Sequence, residues 1–130
     1  MCIRDRIYDQ VCAEAAALTD IQEIKVDHDR RRDSLTLMAK VGSSPLLPAR
    51  SLSDGTMRFL ALAIMRSDDR YSGLLCMEEP ENGIHPARIG AMSELLKSMP
   101  IDPSLEPSAD NPLRQIMVNT HSPGLSLIHI

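Results

Sequence analysis

The sequence predicts an α/β fold of parallel strands joined by crossover helices, with an N-terminal helix and a β-hairpin ahead of them. The first sign is the apolar run Gly73-Leu74-Leu75-Cys76-Met77, which ends in acids. Such a run is expected for a strand buried on both faces of a parallel sheet. A second run, Arg114 to Asn119, ends at Thr120-His121-Ser122-Pro123, and a helix-period segment lies between the two. Strand, helix, strand in this order makes a right-handed parallel crossover. A chain of 130 residues has room for one such domain or a piece of one.

Along the chain, Ile7 to Leu18 is Ala-rich with apolar residues at 7, 11, 15 and 18, which is a helical period. Ile21 to Val26 and Leu35 to Met38 alternate apolar and polar residues around the charged run Asp27 to Asp33. They read as two antiparallel strands joined by a solvated turn. Arg30, Arg31 and Arg32 sit among Asp27, Asp29 and Asp33, so they mark a hairpin tip rather than a phosphate-binding patch. Gly42 to Pro48 is a loop. Ser53 or Asp54 caps a helix whose buried face is predicted as Met57, Leu60, Ala61, Ile64 and Met65, ending near Asp68. Pro86 opens a second helix with Ile89, Met92, Leu95 and Leu96 inward, and Pro100 stops it. Prolines at 103, 107 and 112 make 101–112 a loop too polar to pack.

Composition narrows the function classes. Hydrophobic residues are 43% and charged residues 25%, a globular balance. Fourteen basic against eighteen acidic residues give a net charge of -4, which argues against a general nucleic-acid coat. The only aromatic residues are Tyr8, Phe59 and Tyr71, too few for base-stacking platforms. Apolar stretches such as Phe59 to Met65 fall well short of the ~18 residues a membrane span needs. Cysteines at 2, 12 and 76 fit neither a disulfide lattice nor paired metal-ligand spacing, and predict a reduced, cytoplasmic protein.

The two termini share one DNA signature. Met1 to Arg6 can be encoded by ATG TGT ATA AGA GAC AG, and the reverse complement of that string translates as Leu-Ser-Leu-Ile-His-Ile, the sequence of Leu125 to Ile130. The string resembles the transposon end used in preparing sequencing libraries. Residues 1–6 and 125–130 are therefore expected to be adapter-derived tails, and 7–124 a domain truncated at both ends.

In open parallel sheets, ligands bind beyond the carboxyl ends of the strands. Here those ends carry Glu78-Glu79-Pro80-Glu81 and Asn119-Thr120-His121-Ser122, so acids and a histidine should meet at one edge. Adjacent carboxylates after an apolar strand suit a metal–nucleotide site, one holding the cation and the next accepting a proton from attacking water.

Four segments together resemble one ATPase group: Leu52-Ser53-Asp54-Gly55-Thr56, Leu74 to Glu81, Asn82-Gly83-Ile84-His85-Pro86, and Asn119 to Pro123. They look like the signature, Walker B, D-loop and switch-histidine motifs of ABC-type ATPases related to the SMC and RecF proteins. The form Glu-Glu-Pro-Glu is most similar to bacterial AAA-domain ATP-binding proteins. The resemblance implies a partial P-loop NTPase fold, ATP and Mg2+ as cofactors, and a homodimer of heads sandwiching ATP. A DNA, nuclease or other effector partner is compatible with it. It implies Glu79 as general base, His121 as phosphate sensor and Glu78 as magnesium ligand. Ser53, Gly55, Thr56 and Asn119 would contact nucleotide, and a helix N-terminus with a serine hydroxyl and an unhindered glycine amide is an anion site.

The departures are informative. Asp54 places a negative charge near the phosphate site and should point away from it. His85 stands where a D-loop aspartate is usual, either in an interface role or simply packed beside Pro86. No Gly-x-x-x-x-Gly-Lys-Ser/Thr occurs, so the phosphate loop is missing and the chain alone should not turn over ATP. Two rivals remain open at the level of sequence. One is a metal-dependent hydrolase or nuclease holding a cation directly with Glu78, Glu79, Glu81, His85 and His121. The other is a non-enzymatic module whose acidic loop is a contact surface.

Overall fold

The computed structural model describes residues 11–13, 15–16 and 19–126. Residues 11–13 and 15–16 are helical, with Val11 and Ala15 buried; positions 7 and 18 of the predicted helix, and the tail 1–6, lie outside the described residues. Thr19 ends this segment by donating its hydroxyl and its amide to the Ala15 carbonyl, and its Oγ1 accepts the amide of Ile21. The chain thus turns directly into a hairpin, β1 (Ile21–Asp29) against β2 (Ser34–Val41), with β3 (Leu47–Pro48) added on the far edge of β2. Both long strands run further than their alternation predicts, so the turn shrinks to 30–33. Asp29 Oδ1 accepts the amides of Arg31 and Arg32 there, and the three arginines are exposed at the tip.

Helix α1 (Asp54–Ser67) follows, capped by Ser53 and ending at Asp68. Strand β4 (Gly73–Glu78) comes next, then a 3-10 turn at Pro86–Arg88 leading into α2 (Ile89–Lys97). Strand β5 (Arg114–Asn119) and a final helical turn, α3 (Pro123–Ser126), complete the described chain. β4 and β5 are parallel and pair from Gly73 with Arg114 to Glu78 with Asn119. The architecture is mixed α/β as predicted, divided into an antiparallel three-stranded sheet and a parallel pair.

Helix α1 does not bury the face its periodicity predicts. Gly55, Phe59, Leu60, Leu62 and Ala63 are buried, whereas Ala61 and Ile64 are exposed and Met57 and Met65 lie between. The run 59–65 is apolar all round, so its pattern selects no stripe. The helix instead has partners on two sides. Phe59 and Leu62 join Met92, Leu95, Leu96 and Met99 over the parallel strands, while Leu60 and Ala63 join Val11, Ala15, Ile21 and Ile24. In α2 the predicted Met92, Leu95 and Leu96 are buried together with Ser93, and Ile89 is partly so.

One further expectation is corrected. Among the described residues the parallel strands are covered on one face only. Leu75, Met77, Ile116 and Val118 pack on the helices, but Leu74 is 55% and Met117 62% exposed, with Cys76 open beside them. Leu125, assigned from the sequence to a terminal tail, is 2% exposed and packs with Phe59, Met92 and Leu95. The turn after β5 folds back onto α2, and a leucine there fills the core whatever the origin of its codon.

The loop 101–112 is solvent-exposed but internally tied. Asn111 donates its amide nitrogen to the carbonyls of Asp102, Leu105 and Glu106 and accepts the amide of Asp102. Below it, buried Arg114 donates to the carbonyls of Arg66, Asp68 and Tyr71 and stacks on the Tyr71 ring, placing a cation at the C-terminal end of α1. Leu125→Ala should destabilise the fold by about 2–5 kcal/mol, the usual range for a buried leucine. Urea titration of the chain checks this, and a change near zero would place Leu125 outside the core.

Candidate functional site

The acidic loop begins where β4 ends. Glu78 is exposed and stands opposite Asn119 across the parallel pair, on the same open face as Cys76 and Met117. Glu79 then takes φ +45, a left-handed conformation that favours glycine. Strain of this kind persists only where neighbours hold it. The Glu79 amide donates to the Asn119 carbonyl at 2.7 Å. Its carbonyl accepts Nη1 of Arg58 at 2.6 Å and the amide of Asn82 at 2.9 Å. Pro80 is fully buried behind it. With its backbone fixed on both sides, the Glu79 carboxylate reaches His121, 3.6 Å from Oε1 to Nε2. Glu79 is 42% exposed and His121 84% exposed, so both are open to solvent and to ligand.

Glu81 points the other way, into the fold. Its Oε1 accepts the Thr120 hydroxyl at 2.5 Å and the Ser122 amide at 3.1 Å, while Oε2 is buried without a partner. Burial pushes this carboxyl up, but bonds from the Thr120 hydroxyl and from the amides of Glu81, Ser122 and His121 outweigh it and hold it below its ordinary 4.5. Glu81 is therefore ionised at neutral pH.

The N-terminus of α1 forms the second half of the site. Ser53 Oγ accepts the Thr56 amide at 3.2 Å and shares a hydrogen with Thr56 Oγ1 at 2.9 Å, so Ser53 is a helix cap here. Gly55 sits against the 82–85 turn. A Cβ at position 55 would stand 2.5 Å from the Gly83 carbonyl oxygen, and Gly83 itself has φ +78. Only glycine at 55 permits this approach. His85 caps the 3-10 turn, its Nδ1 accepting the Ala87 amide.

The structure thus brings together Glu79 and His121, Glu78 and Asn119, and Ser53 and Thr56. The signature-like helix and the acidic loop are joined through Arg58 and the Gly55–Gly83 contact. Sequence reasoning missed Arg58, because an arginine one turn into an amphipathic helix reads as a solvated residue. Among the described residues no group of three His, Cys, Asp or Glu side chains is placed to hold a metal, so the direct metal shell that a hydrolase or nuclease reading requires is not assembled.

The fold is similar to that of solved SMC head domains. The chain belongs to the family described as "AAA domain, putative AbiEii toxin, Type IV TA system", whose model matches residues 6–127. Among solved structures it is similar to the Smc head domain with an extended coiled coil from Pyrococcus furiosus, solved bound to the C-terminal domain of ScpA. That match has a TM-score of 0.64 and 12% identity over 95% of this chain and 30% of the other. A SmcHead bound to the C-winged helix domain of ScpA gives 0.63 and 14%, over 93% and 36%. A structure from work on ATP-driven dimerization and DNA-stimulated activation of SMC ATPases gives 0.58 and 13%, over 95% and 74%. The chain therefore spans about a third of two of these proteins. No curated protein matches it.

Gly55→Ala should weaken the fold even though alanine gains about 1 kcal/mol over glycine within a helix. The collision is with backbone, and such overpacking costs about 1–3 kcal/mol. A lower urea midpoint is expected, and an unchanged one would show that the two segments separate freely.

Proposed function

We propose that the chain is the C-terminal part of a dimerising, ATP-hydrolysing head domain, inactive by itself for want of a phosphate loop. The observation that carries this reading is Glu79, held in a left-handed conformation at the end of β4 with its carboxylate beside His121. A carboxylate that is fixed yet solvent-accessible can take a proton from an attacking water, and His121 can report on the terminal phosphate. Ser53, Gly55 and Thr56 at the start of α1 would meet nucleotide held by a second head, and Asn119 would line the same edge. The family and the SMC-like fold support the class; the ATP-driven dimerization named for one structural relative supports the dimer.

The donor set fits magnesium in its usual nucleotide-bound form. Mg2+ is commonly held by one or two carboxylates plus phosphates and water, and Glu78 offers one exposed carboxylate at the strand end. Glu78 would hold the ion, which when bound neutralises phosphate charge. One further feature agrees with a larger parent. The open sheet face carries Leu74, Cys76 and Met117 next to Glu78 and Asn119, and apolar surface of this kind is suited to cover by the rest of a head. What hydrolysis drives, whether on DNA, through a nuclease or in a toxin-like role, is a matter for the effector attached to the head.

In the intact parent, Glu79→Gln should cut ATP turnover by about a hundredfold or more, the usual cost of losing a general base. ATP binding should persist and the dimer should accumulate with ATP. Normal turnover would remove the base assignment. Cys76 supplies an independent check. Its thiol should react with an alkylating agent in the 130-residue chain and be protected in the intact head, and equal reactivity in both would argue against cover of this face.

A further inference from the structure

The two ends of the site are linked by Glu81, a residue to which neither the motifs nor the acid–base chemistry assigns a task. We propose that Glu81 is a positioning residue, which fixes the Thr120–Ser122 segment so that the His121 imidazole faces the Glu79 carboxylate. The proposal rests on the ATPase reading above and adds the device that aligns its sensor with its base.

Three observations carry it. Glu81 Oε1 binds the residues on both sides of His121, accepting the Thr120 hydroxyl and the Ser122 amide. His121 has little else to hold it. Its side chain is 84% exposed, and its pair with Glu79 spans 3.6 Å, a length at which exposed ion pairs contribute little. The charged acceptor makes the flanking bonds the stronger ones, since hydrogen bonds to an ionised carboxylate are roughly twice as strong as neutral ones. The Ser122 amide also reaches Thr120 Oγ1 at 3.0 Å, so Thr120 and Glu81 form one closed set of bonds under the histidine.

The geometry explains why an acid occupies position 81. The loop 79–82 is a turn closed by the Asn82 amide on the Glu79 carbonyl, and the Ile84 amide closes on the Glu81 carbonyl. Residue 81 is thereby aimed inward while 79 is aimed outward. A side chain here must cross to β5 and accept two donors at one oxygen, which glutamate does from a main chain fixed by its own turn. The buried, unpartnered Oε2 is the cost of placing a carboxylate there, and it marks a residue kept for its acceptor rather than for packing.

The test uses ATP turnover in the intact parent and amide exchange in the 130-residue chain. Glu81→Ala and Thr120→Val should each lower kcat by about tenfold while KM for ATP stays within about twofold, because the alignment of a sensor is disturbed and not the pocket. Glu81→Gln, whose carbonyl oxygen can accept both donors, should recover most of the loss. The Ser122 amide should exchange faster in Glu81→Ala. If that variant fails to fold, Thr120→Val alone decides, since it keeps shape and removes only the hydroxyl. Wild-type kcat in Thr120→Val or Glu81→Ala, with Glu79→Gln inactive, would overturn the positioning role and leave the ATPase reading standing. Full activity in Glu79→Gln would instead overturn the reading beneath it.

Discussion

The whole arrangement depends on one helix being buried from two sides. Phe59 and Leu62 of α1 close the core over the parallel strands, and Leu60 and Ala63 close the core under the hairpin. Among the described residues, α1 is the one helix whose side chains enter both cores. Burying a large apolar side chain contributes about 1.5–3 kcal/mol, so Phe59, Leu60 and Leu62 tie the two sheets together more firmly than the surface ion pairs can. Both ends of the helix are then used. Its C-terminal carbonyls receive Arg114 from the start of β5, and its N-terminus meets the 82–85 turn at Gly55. A helix held at both ends and on two sides is a fixed frame, and Arg58 projects from it to the Glu79 carbonyl.

That frame accounts for the shape of the acidic edge. If the extended backbone of β4 simply continued, side chains would go on alternating, with positions 78 and 80 on one face and position 79 on the other. The left-handed turn at Glu79 breaks the alternation, and buried Pro80 fixes the break. As a result three glutamates within four positions point to three environments. Glu78 remains on the open sheet face, Glu79 faces His121, and Glu81 turns into the fold. Like charges are separated without any cation being needed to hold them apart.

Much of this was legible in the sequence, and the failures have physical causes. The strands, the hairpin, the helix cap at Ser53 and the inward face of α2 follow from alternation, capping and a clear apolar stripe. The inward face of α1 does not, because seven consecutive apolar residues carry no phase and the number of partners is a tertiary property. The strand Gly73–Glu78 reads as buried on both faces because its composition is uniformly apolar, yet the described residues cover only one of them. The meeting of Glu79 and His121 follows from strand order alone. Their backbone anchors do not, since Arg58, Asn119 and Thr120 act through main-chain carbonyls or through a turn that no side-chain pattern announces.

The distribution of anchors explains how such a site can be both ordered and open. In the proposed roles Glu79 must be accessible to water and His121 to ligand, so neither can be buried to hold it still. Here the functional side chains are left exposed and the order is supplied one bond removed. Glu79 is held by its amide and carbonyl, and His121 by the residues on either side of it. Each anchor in turn originates in a buried or half-buried element, α1 for the first and Glu81 for the second. A ligand entering the edge therefore meets groups whose directions are already set, which reduces the ordering entropy to be lost on binding. The same construction makes the two halves of the site interdependent, because the Asn119 carbonyl that receives Glu79 and the Thr120 hydroxyl that reaches Glu81 are neighbours on one strand end. Any displacement of β5 would move Glu79 and His121 together.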